Sequence, residues 1–147
     1  MPASLEVNEI PADYFTPILL QPSSLESTLA KGYCHLSQID WLQTVRGNCV
    51  LTLFYNKEFH YIPMRAGMEY YVEINPKTWH GALNFGPEAA FCYNLIFRGK
   101  RKIHPADYTL RLLPHPHNLA LAAQTLRRNE RAIWNPQTQV ARFVRDN

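Results

Sequence analysis

The chain has 147 residues, 46% of them hydrophobic and 18% charged, with a formal net charge of +3 when the histidines are neutral. Such a length and composition describe one globular domain whose core is large enough to fold without disulfide or metal staples, and they exclude a disordered or low-complexity chain. Aromatic residues reach 12%, with eight Tyr, seven Phe and three Trp, and this richness favours strands over helices.

Residues 1–27 mix a short alternating segment (Leu5, Val7, Ile10) with Pro11, Pro17 and Pro22. They read as an edge strand and a wrapping arm. From Lys31 onward, turn residues recur at close intervals: Gly32, Gly47-Asn48, Asn56-Lys57, Pro63, Gly67, Asn75-Pro76, Gly86-Pro87 and Gly99. Between them lie the strand-like runs 41–45, 49–55, 59–64, 68–74, 79–84 and 89–97, the rhythm of an all-β sandwich or small barrel. The run Cys49-Val50-Leu51-Thr52-Leu53-Phe54 alternates poorly, so both of its faces are expected to be covered, one by a pocket and the other by a partner subunit or the arm.

After His115-Pro116-His117 the period changes. Asn118 is placed to cap a helix, and Leu119, Ala122, Ala123 and Leu126 recur at helical spacing, predicting a helix over residues 119–131 that Ile133-Trp134-Asn135-Pro136 ends. Val140, Phe143 and Val144 are expected to dock as a short helix or strand.

Neither basic cluster, Arg98 with Lys100, Arg101 and Lys102 or Arg127 with Arg128 and Arg131, accompanies a nucleic-acid-binding motif, so no nucleic-acid partner is expected. No run approaches the ~18 apolar residues of a membrane span, so no membrane partner is expected either. Cys34, Cys49 and Cys92 lack metal-type spacing, and the first residues lack a secretory pattern. Reduced thiols in the cytoplasm are the expectation.

Two histidines stand in informative contexts. His35 lies in Tyr33-Cys34-His35-Leu36-Ser37-Gln38-Ile39-Asp40, with Gly47 beyond; His80 lies in Asn75-Pro76-Lys77-Thr78-Trp79-His80-Gly81-Ala82-Leu83-Asn84. Imidazoles titrate near neutrality and move protons beside a carbonyl. Tyr33, on the same strand face as His35, offers a phenol, and His80 a second acid or base. Lys31, Arg46 and the cluster beginning at Arg98 are candidate anion holders, and Asn84 and Tyr93 candidate ligand contacts. The same stretch also contains a two-His, one-carboxylate set, His35, Asp40 and His80, which suits iron, manganese or zinc. On one unbroken strand His35 and Asp40 would face opposite ways, so a turn or bulge must re-aim Asp40.

These spacings resemble the cupin superfamily. His35, Asp40 and Gly47 match the spacing of its first motif, and Pro76, His80 and Asn84 that of its second. Tyr33 replaces the first histidine of H-x-H, Asp40 the usual Glu, and the glycine expected before the second-motif histidine is absent. Residues 31–111 look most like the nucleotide-sugar branch, the dTDP-sugar 3,5-epimerases and 3,4-ketoisomerases, through Lys31-Gly32-Tyr33-Cys34-His35, Val45-Arg46-Gly47, Trp79-His80 and Pro105-Ala106-Asp107-Tyr108. The resemblance implies a cupin jelly roll with a C-terminal α-helix: one domain over 1–147, with an arm at 1–30, the jelly-roll core at 31–113, and helix and tail at 114–147. It further implies a homodimer binding a small molecule such as a nucleotide sugar. The first reading is a cofactor-free epimerase or ketoisomerase with His35, His80 and Tyr33 catalytic and Lys31, Arg46, Asn84 and Tyr93 binding substrate. The alternatives are a metal enzyme, a dioxygenase or isomerase with one divalent ion on His35, Asp40 and His80, and a binding module without catalysis.

Overall fold

The computed structural model describes residues 14–23, 29–68, 71–99, 105–127, 130–135 and 140–145. Its strands are β1 (Tyr14–Leu20), β2 (Leu29–Gly32), β3 (Ile39–Arg46), β4 (Asn48–Tyr55), β5 (Glu58–Arg65), β6 (Val72–Ile74), β7 (Trp79–Leu83), β8 (Ala90–Phe97) and β9 (Arg111–Pro116). Helix α1 (Leu119–Arg127) follows, then β10 (Glu130–Asn135) and β11 (Val140–Arg145), which pair with each other. The antiparallel sheets take the orders β1-β8-β3-β6 and β5-β4-β7, and β2 pairs with β9. The expected all-β jelly-roll sandwich with a C-terminal helix is what the chain forms.

A backbone bridge sutures the β2–β9 pair to the sheet of β4. Tyr33 N–H donates to the His80 carbonyl at 2.7 Å, and His80 N–H returns the bond at 2.8 Å. The approach is so close that a side chain at Gly32 would strike the His80 carbonyl and the Trp79 ring. Glycine is required there by contact, not by backbone angle. Between β4 and β5, Asn56 and Lys57 both have positive φ (52° and 63°), giving a two-residue hairpin whose twist suits the strands.

The core between the sheets is built from Cys49, Leu51 and Leu53 of β4, Ile62 and Met64 of β5, and Val72, Ile74 and Cys92 opposite them. The other face of β4 is covered by the chain's own helix, not by a partner or the arm as the sequence suggested. Val50, Tyr61 and Leu83 meet Ala122, with Leu119 and Leu126 around them. Asn118 caps α1 as predicted, its Oδ1 accepting Leu121 N–H at 3.1 Å. The helix is shorter than predicted. The Arg65 guanidinium donates to the Thr125 and Leu126 carbonyls at 3.1 and 3.2 Å, and the chain is already in a strand at Glu130.

The predicted strand over 68–74 is also shorter. Met68 instead folds back on β3, its carbonyl accepting Gln43 Nε2 at 2.6 Å and its sulfur facing Thr44 N–H at 3.2 Å. The arm supplies β1, an edge strand that tolerates Pro17. The segment around Leu5, Val7 and Ile10 lies outside the described residues. Among the described residues no helix is long and apolar enough to cross a membrane.

Two predictions follow from this packing. Gly32→Ala should destabilise the fold by about 3 kcal/mol in urea unfolding, because two backbones must separate to admit a methyl group. The second concerns His60, stacked on Tyr55 at 4.1 Å, and His117, packed against Phe59. Burial holds both imidazoles below the usual 6.5. The unfolded chain therefore takes up protons near pH 6.5 that the folded chain resists, and stability falls as pH drops through and below that value. The melting temperature should decline between about pH 7 and 5, and less steeply in a His60→Phe, His117→Phe double variant.

Candidate functional site

β2 stops at Gly32, and after the Tyr33 bridge the chain leaves strand geometry, bending at Leu36–Ser37 before β3 begins at Ile39. This break is the required re-aiming device. His35 sits before it and Asp40 after it, and both now point into the space between the sheets. Asp107 secures the bend, its buried Oδ1 accepting Leu36 N–H at 3.0 Å. The turn preceding β7 is tied to the same place, since Lys77 N–H donates to the His35 carbonyl at 2.6 Å. Lys77 sits in the left-handed region (φ 65°), a conformation costing about 1–2 kcal/mol for a side-chain-bearing residue.

His35, Asp40 and His80 converge. The His35 and His80 Nε2 atoms lie 3.2 and 3.5 Å from Asp40 Oδ2, and the imidazole centroids are 4.9 Å apart. All three residues are buried, the histidines 7% exposed and Asp40 2%. Among the described residues they form the one group of three ligating side chains, with ligand atoms within 4.8 Å of one another.

The protonation pattern is informative. His80 Nδ1 lies 3.0 Å from the Thr78 carbonyl, which can only accept, so Nδ1 carries the proton. Burial pushes the His80 imidazole below its usual pKa, against the opposing pull of Asp40 and Thr78. Burial thus favours the neutral ring, whose Nε2 is the atom turned towards Asp40. At 3.5 Å, Nε2 and Asp40 Oδ2 are placed to share one cation, a proton or a metal ion. His35 Nδ1 has no hydrogen-bond partner among the described residues.

Asp40 is held by a chain of side chains. Gln38 Nε2 donates to Asp40 Oδ1 at 2.7 Å, Tyr108 OH donates to Gln38 Oε1 at 2.9 Å, and Arg98 Nη1 donates to Tyr108 OH at 3.0 Å. Gln38, Arg98 and Tyr108 all line a cavity of about 620 Å³ that also takes in His35, Asp40 and His80. Tyr33 lines it as well, 38% exposed and with its ring parallel to that of His35 at 6.2 Å.

The remaining candidates lie elsewhere. Lys31 and Arg46 are exposed and do not line the cavity. Asn84 is buried but committed to the fold, its Nδ2 donating to the Leu20 and Glu88 carbonyls and its Oδ1 accepting Gly86 N–H. Tyr93 packs edge-on against Phe91, away from the cavity, while its neighbour Asn94 faces inward. One signal for Gln38 was available in the sequence: it lies two residues before Asp40, the spacing that shares a strand face.

No protein-family model matches the chain, and no curated protein does. Similar solved structures include the capsular polysaccharide assembling protein CapF from Staphylococcus aureus, with a TM-score of 0.51 and 13% identity over 63% of this chain and 26% of CapF. The QdtA 3,4-ketoisomerase from Thermoanaerobacterium thermosaccharolyticum in complex with TDP has a TM-score of 0.48 and 16% identity, over 64% of this chain and 65% of that one. A Cupin_2 domain of an XRE family transcriptional regulator from Enterobacter cloacae has a TM-score of 0.42 and 17% identity, over 56% of this chain and 78% of that one. Of these three, CapF alone exceeds 0.5; the chain spans about a quarter of its length, and the likeness concerns the fold only. The chain is an antiparallel β-sandwich, similar in fold to part of CapF, with a buried His–Asp–His cluster between its sheets.

Gln38→Leu should destabilise the protein by about 1–3 kcal/mol in urea unfolding, because it strips a partner from a buried carboxylate and leaves the Tyr108 hydroxyl without its acceptor.

Proposed function

We propose that this protein is a metal-dependent enzyme of the cupin kind, holding one divalent ion (iron, manganese or zinc) on His35, Asp40 and His80 and acting on a small carbonyl or carboxylate compound. The observation that carries the reading is the convergence of the His35, Asp40 and His80 ligand atoms within 4.8 Å of one another, with His80 Nδ1 held 3.0 Å from the Thr78 carbonyl so that Nε2 is the atom turned towards Asp40. Two imidazoles and one carboxylate, buried and converging, form a donor set that suits these ions and leaves positions open for substrate. Such an ion would act as a Lewis acid, polarising a substrate oxygen.

The chain's own residues supply the rest. The Thr78 carbonyl orients His80, and Gln38 orients Asp40, the outer support that ligating side chains need. Arg98, buried in the cavity wall, presents a guanidinium suited to an anionic substrate group. Tyr33 stands at a partly exposed part of the wall with its ring against His35, where its phenol can give or take a proton.

A metal-free reading, in which His35 and Tyr33 shuttle a proton on a keto-sugar nucleotide, draws support from that same ring stack. It stands second because two of its candidate diphosphate holders, Lys31 and Arg46, stand off the cavity, leaving Arg98 to line it.

Elemental analysis after reconstitution separates the two. The metal reading expects close to one equivalent of ion, with affinity falling at least tenfold in His80→Gln and in Asp40→Asn, and turnover lost to chelators and restored by metal. Less than about a tenth of an equivalent, with no rise on reconstitution, would overturn it. Chelator-insensitive turnover abolished by His35→Ala would favour the keto-sugar reading instead.

A further inference from the structure

The cavity is chemically lopsided. His35, His80, Asp40, Gln38, Arg98 and Tyr108 gather at one end. Away from them the wall is mostly aliphatic, made largely by Ile18, Leu20, Leu42 and Leu51, with Thr16 also lining it. Set into this aliphatic wall is an amide. Asn94 is 8% exposed, lines the cavity, and its Oδ1 has no hydrogen-bond partner among the described residues.

Strand register fixes where that amide stands. Asn94 and Ile96 follow one another on the inward face of β8, and Arg98, just past the end of the strand, also lines the cavity. Ile96 pairs with Asp40, and Asn94 pairs with Leu42 on β3 and Thr16 on β1. Each step along the row is about 7 Å. The amide thus stands one step beyond the row of Asp40, and Arg98 one step to the other side.

An unpartnered amide in an aliphatic wall is a standing desolvation cost that a leucine of similar volume would avoid. None of the described hydrogen bonds uses the Asn94 carboxamide to hold the fold. Its polarity is therefore intelligible as part of what the cavity receives. A carboxamide offers an oxygen or, turned over, an NH2 group, so it can meet a hydroxyl in either sense. At the opposite end, a divalent ion together with Asp40 and Arg98 leaves net positive charge, which selects an anionic head.

We infer that the cavity binds an organic acid with an aliphatic body and a distal hydroxyl group, about 7–14 Å from its carboxylate, and that Asn94 is the residue that recognises the hydroxyl. The inference rests on the proposed function for the anionic end only; the Asn94 end stands on its own geometry.

Octanoate and ω-hydroxyoctanoate are suitable probes, titrated calorimetrically into chelator-treated and into manganese-loaded protein. The wild type should bind the hydroxy acid about tenfold more tightly than octanoate. Asn94→Leu should lose that preference while its melting temperature stays level or rises, the signature of a polar group kept for binding and not for stability. Asn94→Ala, which opens space instead of filling it, should lose the preference as well and covers the case in which leucine does not fit. Equal affinities in the wild type, a preference that survives both substitutions, or no binding of either acid at millimolar concentration would overturn the inference. The two ends fail separately. A hydroxyl preference that is intact but indifferent to manganese removes the metal reading and leaves Asn94 in place. Manganese-dependent binding without a hydroxyl preference removes Asn94 alone.

Discussion

Asp40 carries a negative charge into the interior of a small sandwich, and the local architecture is arranged around keeping it there. A carboxylate removed from water must be paired or hydrogen-bonded on every side. Oδ2 faces two imidazoles and Oδ1 takes a bond from Gln38. Gln38 is in turn fixed by Tyr108, and Tyr108 by Arg98, so the support reaches from the start of β3 to the end of β8 and on to the 3-10 turn at Pro105–Tyr108. The turn that carries Lys77 and the bend that follows His35 are bonded to each other through the backbone. Local strain at Lys77 persists because these neighbours over-determine the position, as is common where side chains must be aimed.

Much of this was readable before any coordinates. Turn residues at close intervals marked the hairpins, and the spacing of His35, Asp40 and His80 identified the cluster, including the need for a break between the first two. What escaped was whatever depends on register between distant strands. Asn94 and Tyr93 are neighbours of opposite facing, and choosing between them requires knowing that Leu42 pairs with Asn94. Arg98 stood in the sequence as the first of a basic run of candidate anion holders, and its place just past the end of β8, buried against the cavity, depends on that strand's facing. Tyr108 could be quoted as part of a motif, but its bond to Gln38 spans 70 positions. Asn84 carried the right spacing and a different task, because an amide at a strand end is as useful for pinning a turn as for holding a ligand.

The helix shows how a pattern can be seen correctly and assigned to the wrong neighbour. The two-sided apolar character of β4 was a sound observation. The cover for its outer face comes from α1, whose Ala122 fits directly over Val50 and Leu83. Nothing within β4 distinguishes a helix of the same chain from a second copy, since both would demand the same apolar surface.

That arrangement gives the cavity walls unequal stiffness. β4 is paired on both sides and roofed by a helix whose last carbonyls are clasped by Arg65, so moving it would break two ladders and strip α1 from its seat. β1, which contributes Thr16, Ile18 and Leu20 to the opposite side, is an edge strand bonded only to β8. A guest too bulky for the resting space would therefore meet least resistance from β1, whose displacement breaks one ladder and not two.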